Sequence, residues 1–437
     1  MCRAAKPFPS CSRVGAVAAL ALVLRFATVV LFSERTCPAT RDNIVPEPEA
    51  VYLKTGDVKP GDSQQYLLLA ENLRTKGRFS WDTAPVAFRT PGYPALLALL
   101  GNNLVLLVVV QAVLGGLTVV LLALLGARLF SPTTGLIAAV LLAVDPASIF
   151  YSGVVMTETL FLVLLVAATY LFVVRREWAA GLLLGGAVLT RPIAMLVFGP
   201  YAVALAVRRR WLRLATLLGM FALLPGLWLA RNLVVFKRVG LSSISGYNLF
   251  YYNAGALVAA ERGISGPEAR RALGREFAAQ LATDNPLAIS AALIREAVRI
   301  ISHDPVRYGL VYLVGLGHIL AGVKADDIVL RIVRPELRLA PIRAVGQAGL
   351  NPGVKLLIGG LAVGELVLVL GALGLAVAGM ALGPGRQRRL FLVALAGYFL
   401  LAAAPVPDAR FRLPAMPFVY LAAASVGARF RAGRPDS

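Results

Sequence analysis

Long apolar runs alternate with two long stretches of mixed polarity along this chain. Runs at about 14–32, 104–126, 133–150, 156–174, 212–233, 354–380, 389–404 and 413–428 reach or approach the ~20 residues that cross a bilayer. The stretch 178–207 is equally apolar but is broken by Arg191-Pro192, which predicts a tight helical hairpin and two further spans. In hydrocarbon each backbone N–H and C=O must find a partner within the protein, so continuous runs of this kind become helices. A membrane barrel would instead show short alternating segments. The expected fold class is therefore an all-α polytopic membrane protein with roughly ten transmembrane helices. The run 306–322 is apolar enough to tempt an eleventh, but it is expected to be a partly embedded helix that does not span.

The two long stretches, 33–103 and 234–353, predict structure of their own within what otherwise reads as a single membrane domain, 1–437. In Ser63–Lys76, Tyr66, Leu67, Ala70 and Leu73 recur at helical spacing, with Arg74 and Lys76 in the last turn and Gly77 to end it. That pattern predicts an amphipathic helix lying on the membrane. A second short helix is expected at Pro94–Leu100, and further helices at Pro267–Thr283 and Pro286–Ser302, each opened by proline.

Charge supplies the sidedness. Only 15% of the 437 residues are charged and 58% are hydrophobic, with a mean hydropathy of +0.74. Lys+Arg outnumber Asp+Glu 44 to 23, a net charge of +21. Arg3, Lys6 and Arg13 put the N-terminus on the cytoplasmic side. Arg128, Arg175-Arg176, Arg208–Arg210, Arg386/Arg388/Arg389 and the tail Arg429/Arg431/Arg434 then fall inside too, and both long stretches fall outside. Counting 306–322 as a span would reverse the last two clusters. Both termini are thus expected in the cytoplasm; the alanine- and arginine-rich composition suggests a GC-rich bacterial genome, and the expected location is the inner membrane of a bacterial cell. The run Val14–Phe32 is long for a signal peptide and has no clear cleavage site after it, so it reads as a retained span. Basic residues dispersed between spans argue against nucleic-acid binding. Cys2, Cys11 and Cys37 have neither disulfide nor metal-site spacing. His303 and His318 are the only histidines, and no residue is assigned to a metal.

Several polar residues sit where chemistry could occur, each beside a plainer reading. Asp62 opens the juxtamembrane helix. It is either an N-cap completed by Gln65 three residues on, or a general base at the lipid–water boundary. Glu158 begins a span, as a helix-start acid favoured by the dipole or as a functional carboxylate. Asp145, before Pro146, reads as a turn or helix-end residue. Arg191, Arg231, Arg410 and Arg412 stand at outer span ends, where snorkelling competes with bidentate recognition of phosphate. Tyr247, Asn248, Tyr251, Tyr252 and Asn253 form either an interfacial aromatic belt or a loop contacting sugar or acceptor.

Taken in order, seven segments form a recognisable set. They are Gly61-Asp62 with Tyr66 and Ala70; Arg89-Thr90-Pro91-Gly92-Tyr93-Pro94; Met156-Thr157-Glu158-Thr159-Leu160-Phe161; Leu189-Thr190-Arg191-Pro192; Trp228 with Arg231-Asn232; Gly246-Tyr247-Asn248; and Ala409-Arg410-Phe411-Arg412-Leu413-Pro414. The set resembles the GT-C glycosyltransferases that use polyprenyl-phosphate sugars, the superfamily of the protein O-mannosyltransferases (glycosyltransferase family 39) and the lipid A aminoarabinose transferase. The resemblance spans residues 14–430. It implies a GT-C fold, with amphipathic helices in two long outer loops, and transfer of a sugar with inversion to an acceptor hydroxyl outside the membrane. The donor would be a polyprenyl-phosphate sugar and the acceptor a glycan, lipid or protein. Asp62 matches the catalytic base, with Glu158 a second acid in the same cavity. Arg191, Arg231, Arg410 and Arg412 would hold the lipid phosphate. Tyr66, Arg89, Tyr93, Tyr247 and Asn248 would contact sugar or acceptor. Many members carry Asp-Glu where this chain has Asp62-Ser63; no cofactor is implied with certainty, and a divalent metal stays open. Two rivals remain: a transporter or flippase of a lipid-linked sugar, and a non-catalytic scaffold of the same fold. The informative polar residues sit at outer ends and in outer loops rather than at mid-membrane, which favours chemistry over transport.

Overall fold

The computed structural model describes residues 10–32, 49–56, 61–81, 84–325, 327–329, 351–381, 385–403 and 408–432. The expectations for Cys2, Cys37, Arg3, Lys6 and Arg434, and for the parts of the outer stretches at 33–48, 57–60, 82–83 and 330–350, lie outside these residues. Among the described residues there is no strand; an isolated bridge joins Ser80 to Pro85.

The apolar runs are helices. They form α1 (Cys11–Phe32), α5 (Leu104–Leu129), α6 (Pro132–Ala143), α7 (Pro146–Ser152), α8 (Glu158–Val173), α9 (Glu177–Thr190), α10 (Phe198–Ala206) and α11 (Trp211–Phe236). After α16 (Pro305–Ala321) come α17 (Pro352–Ala381), α18 (Arg386–Ala403) and α19 (Met416–Ala432). Among the described residues, Leu104–Leu129, Trp211–Phe236 and Pro352–Met380 are each long and apolar enough to cross a bilayer alone. The expected single span at 133–150 is a bent pair, α6 and α7, turned by 61°. Its break is local chemistry: Asp145 caps α7, accepting the Ser148 N–H (2.7 Å), and Pro146 has no N–H to continue the ladder from α6. Lipid is the natural partner for the outward faces of α11, α16 and α17, where Leu227, Val234, Leu310, Leu313, Val363 and Val367 are exposed.

Within the bundle, small residues bring helices close, as expected where lipid tails and side chains are equally apolar. Gly126 on α5 meets Gly135 on α6, and Gly181 and Gly185 on α9 press against the backbone of α11 at Leu217 and Phe221. Charges inside this layer are compensated. Arg25 of α1 is buried and donates to Ser148 Oγ (2.8 Å). Tyr420 donates to Asp145 Oδ2 (2.6 Å).

The two long stretches of mixed polarity build one structure, the outer layer, named for the side on which the charge pattern expects it. The first supplies α2 (Glu49–Thr55), α3 (Asp62–Lys76) and α4 (Gly92–Leu99). The second supplies α12 (Ile244–Tyr247), a π-helical turn Asn248–Ala254, α13 (Gly255–Arg262), α14 (Gly266–Glu276) and α15 (Pro286–His303). Tyr52, Leu53, Leu69, Trp81 and Phe88 from the first share a core with Tyr247, Phe250, Tyr251, Ile289 and Leu293 from the second. Hydrogen bonds stitch the seam: Tyr247 Oη donates to the Gly56 carbonyl (2.6 Å) and Tyr251 Oη to that of Leu53 (3.0 Å). This corrects the expectation that α3 lies on lipid. Its face through Gln65, Tyr66, Leu69 and Ala70 is buried against protein, because the second stretch and α4 cover it before the membrane can. Gly77 does end the helix, with a left-handed φ of 62°.

A Cβ at Gly135 would overlap the Ala123 carbonyl oxygen and sit 2.9 Å from the Ala127 nitrogen, whereas one at Gly219 meets nothing within 4 Å. Gly135→Ala is therefore expected to force α5 and α6 apart and cost about 1–3 kcal/mol, read as a lower unfolding temperature in detergent. Gly219→Ala should leave it unchanged or raise it slightly.

Candidate functional site

Where the outer layer meets the bundle, a cavity of about 330 Å3 opens. Asp62, Tyr66, Arg89, Glu158, Arg191, Tyr247, Asn248 and Arg410 line it, joined by Thr157, Thr190, Tyr252, Asn253 and Phe411. Local sequence explains how each charged group arrives.

The N-cap of α3 is Gly61, in extended conformation, and its N–H donates to Gln64 Oε1 (3.2 Å). The helix thus closes its own first turn without Asp62, which corrects the N-cap reading. The Asp62 carboxylate is shared between two guanidinia: Arg89 Nη2 donates to Oδ1 (2.5 Å) and Arg410 Nη1 to Oδ2 (3.0 Å). Gln65, the expected capping partner, instead accepts from Arg89 Nε (2.8 Å). Arg89 also donates to Tyr66 Oη (3.3 Å) and lies between the Tyr66 and Phe88 rings, 5.0 and 5.1 Å from their centroids. Arg410 stands in a one-turn 3₁₀ helix capped by Asp408, which accepts the Arg410 N–H (2.9 Å).

The second ion pair lies across the cavity. Glu158 is the first residue of α8 and is buried; Arg191 Nη1 donates to its Oε1 and to Thr157 Oγ1 (3.1 Å). Arg191 is the C-cap of α9. The residue before proline is pushed to extended φ/ψ (−142°, 116°), so the helix ends there and the side chain turns into the cavity. The segment from Arg89 is held against this end of α9 by Gly92, whose Cα faces the Leu189 carbonyl and Thr190 Oγ1 so closely that a Cβ there would come within 2.7–2.9 Å of both. The third wall is the π-helical turn, which brings Asn248, Tyr252 and Asn253 to one face.

Electrostatically, Asp62 is the most constrained group. Burial works to raise its pKa, but the charges of Arg89 and Arg410 together outweigh burial and hold the carboxyl well below the usual carboxylate range. The same pairing overrides desolvation at Arg89 and Arg410 and raises both. With Asp62 and Glu158 set against Arg89, Arg191 and Arg410, the lining carries a positive excess suited to an anion. Among the described residues no group of three or more His, Cys, Asp or Glu side chains gathers to hold a metal ion.

Three residues expected at the site lie outside the cavity. Tyr93 is fully buried behind it, donating to Gln111 Oε1 (2.8 Å) and meeting the Tyr66 ring edge-on. Arg231 turns to the outer layer, donating to the Val86 carbonyl (3.1 Å) and Asn232 Oδ1 (2.8 Å) and stacking on Trp228. A span end close to a folded loop offers it backbone carbonyls before head groups. Arg412 is buried in the bundle against Glu365 of α17 (2.5 Å). Glu365 also accepts the Lys324 and Ala325 N–H groups (2.8 and 2.9 Å). Its signal was present in sequence, since an acid inside an apolar run demands a partner. Glu49, buried beneath the cavity wall, carried no such signal in its mixed-polarity stretch.

Residues 93–230 match the family model described as dolichyl-phosphate-mannose-protein mannosyltransferase. No curated protein matches the chain in sequence. Among solved structures, the chain is similar to the archaeal oligosaccharyltransferase AglB from Archaeoglobus fulgidus in complex with an inhibitory peptide and a dolichol-phosphate. The identity is 16% and the TM-score 0.50, over 97% of this chain and 52% of that one. The apo form of the Archaeoglobus fulgidus oligosaccharyltransferase aligns at 16% identity over 94% and 51% of the two chains, with a TM-score of 0.46. The chain spans about half the length of these structures. The family-model match bears out the resemblance read from the motifs over residues 93–230, and the fold is the GT-C fold of the AglB complex.

Removing one partner of the Glu158–Arg191 pair strands the other as a buried charge. Arg191→Ala is expected to destabilise the protein by about 3–5 kcal/mol, and Arg191→Ala combined with Glu158→Gln to recover much of it; thermal unfolding of the detergent-solubilised protein measures both.

Proposed function

We propose that this chain is a membrane glycosyltransferase that moves a sugar from a polyprenyl-phosphate-linked donor to an acceptor hydroxyl, with inversion, at the outer face of the membrane, the inner membrane of a bacterial cell with both termini cytoplasmic. The observation that carries the reading is the Asp62 carboxylate, held ionised between Arg89 and Arg410 in a cavity that also contains Arg191. The matched family model and the dolichol-phosphate bound in the similar AglB complex support a lipid-phosphate donor. The inhibitory peptide in that complex favours a protein among the acceptors, beside glycan or lipid.

In this mechanism the acceptor oxygen attacks the anomeric carbon as the bond from that carbon to the phosphate oxygen breaks. The hydroxyl proton passes to Asp62, and the lipid phosphate leaves with the bonding electrons. Arg191 and Arg410 hold the phosphate and stabilise its growing charge. Tyr66 and Arg89 line the same face, and Asn248 and Tyr247 belong to the wall that the sugar or acceptor would meet. A carboxylate paired this strongly is a weak base. The donor phosphate competes for Arg410, and as that guanidinium moves over, Asp62 loses a partner and regains basicity at the moment it is needed. Glu158 keeps Arg191 aimed while the cavity is empty.

The test is turnover by purified protein in nanodiscs with a panel of polyprenyl-phosphate pentoses and hexoses. Asp62→Asn is expected to lower kcat by a factor of about 10²–10⁴ and, because Arg89 and Arg410 lose their carboxylate, to lower the unfolding temperature as well; full activity in folded protein would remove Asp62 as the base. The acid limb of kcat/KM should lie below the ordinary carboxylate range, since the free enzyme holds Asp62 ionised. Arg410→Gln removes a charge that lowers that pKa, so the limb should move to higher pH; an unmoved limb would show that the titrating group is elsewhere.

A further inference from the structure

Beneath the cavity wall lies a buried carboxylate that none of the chemistry above uses. Glu49 opens α2 and is 5% exposed. Its Oε2 accepts the Ala87 N–H (2.7 Å) and its Oε1 accepts the Ser243 hydroxyl. The Ser243 N–H in turn donates to the Ala87 carbonyl (3.0 Å). Three segments far apart in the chain meet at this point. Two residues beyond Ala87 is Arg89, and beyond Ser243 come Tyr247 and Asn248. The Phe88 and Tyr247 rings, one from each bridged segment, pack edge-on 5.7 Å apart. Arg231 grips the Val86 carbonyl, so the turn before Arg89 is held from both α11 and α2.

We infer that Glu49 is a positioning residue of the site, its carboxylate bridging the segment that carries Arg89 to the segment that carries Tyr247 and Asn248 and so setting the gap between the two cavity walls. Ala87 lies in irregular chain and Ser243 stands just before α12, so the bridge does what a strand ladder would do elsewhere. The inference rests on the transferase reading only for what binds in the gap.

The bridge is also sensitive to pH. Burial pushes the Glu49 carboxyl up to about 7, against the hydrogen bonds from Ser243, Ala87 and Phe88 and the charge of Arg231, the charged group that faces it from α11. Lys54, further along α2, pairs outward with Asp284 (2.9 Å). Above that pH both bridging bonds are made to an anion; below it the acid is neutral, the bonds lose their charge assistance and the Ser243 hydroxyl must turn to accept. Binding at the site should weaken as pH falls through this range, far from the acid limb belonging to Asp62.

The probe is polyprenyl monophosphate, bound to the full chain in nanodiscs between about pH 5 and 9. Wild type is expected to bind about three- to tenfold more weakly at the acid end. Glu49→Gln, which mimics the neutral acid, should bind at the weaker level throughout and keep only the step that the second ionisation of the lipid phosphate, at pH ~6, gives to any protein. Ser243→Ala, which keeps the bond to Ala87, should show a smaller loss in the same direction. Wild-type affinity and an unchanged pH step in Glu49→Gln would overturn the inference. Hydrogen exchange of peptides 84–90 and 243–248 reads the bridge without any ligand. After correction for intrinsic rates, protection should drop through the same pH range in wild type and be low and flat in Glu49→Gln; identical protection in the two proteins would again overturn it. If wild type binds no lipid phosphate at any pH, the transferase reading falls, and the exchange result alone decides the bridge.

Discussion

One carboxylate between two guanidinia organises this molecule. Asp62 comes from the first outer stretch, Arg89 from the turn before α4, and Arg410 from the link between α18 and α19, so their meeting ties the beginning, the outer layer and the end of the fold at one point. The arrangement is costly without a purpose: burying Arg89 and half-burying Asp62 and Arg410 loses hydration that the ion pairs only partly return. It is stable because each arginine has further support, Arg89 from Gln65, Tyr66 and two rings, and Arg410 from the Asp408 turn and the Phe411 ring. A preassembled, ionised carboxylate beside spare positive charge is what a cavity needs if an anion is to enter and release a base.

The rest of the architecture serves to hold this cluster at the boundary between two environments. Below it, helices packed through glycine contacts and buried pairs such as Arg412–Glu365 form a rigid floor. Above it, short helices from the two outer stretches share an aromatic core, and without that core Arg89 and the π-helical turn would have no fixed relation. Arg231 illustrates the economy of the design: a cation at a span end that could have faced head groups is used to pin the loop that carries Arg89.

Much of this was legible from the chain alone, for identifiable reasons. Apolar runs of near-bilayer length can only be helices, Pro192 can only end one, and Gly77 marks a stop; each is local physics acting on adjacent residues. The ordered motifs also picked out Asp62, Arg89, Glu158, Arg191 and Arg410, all of which line the cavity. Local pattern misled where two readings share one signature. An aspartate at a helix start looks like a cap whether or not it caps, and Gly61 with Gln64 released Asp62 from that task. An apolar stripe on a short helix looks the same facing lipid or a neighbouring loop, and α3 faces the loop.

What sequence by itself determined, then, is the helical membrane character, the breaks within it and the inventory of charged groups at helix ends, because these follow from hydration and backbone sterics over a few residues. Tertiary structure decided which charges meet. Arg410 pairs with Asp62 while Arg412, two residues away, pairs with Glu365, and Arg231 and Glu49 support a wall rather than line it. Neighbouring residues on a tight turn point in different directions, and which one reaches a distant carboxylate depends on how all the helices pack, a relation no local pattern encodes.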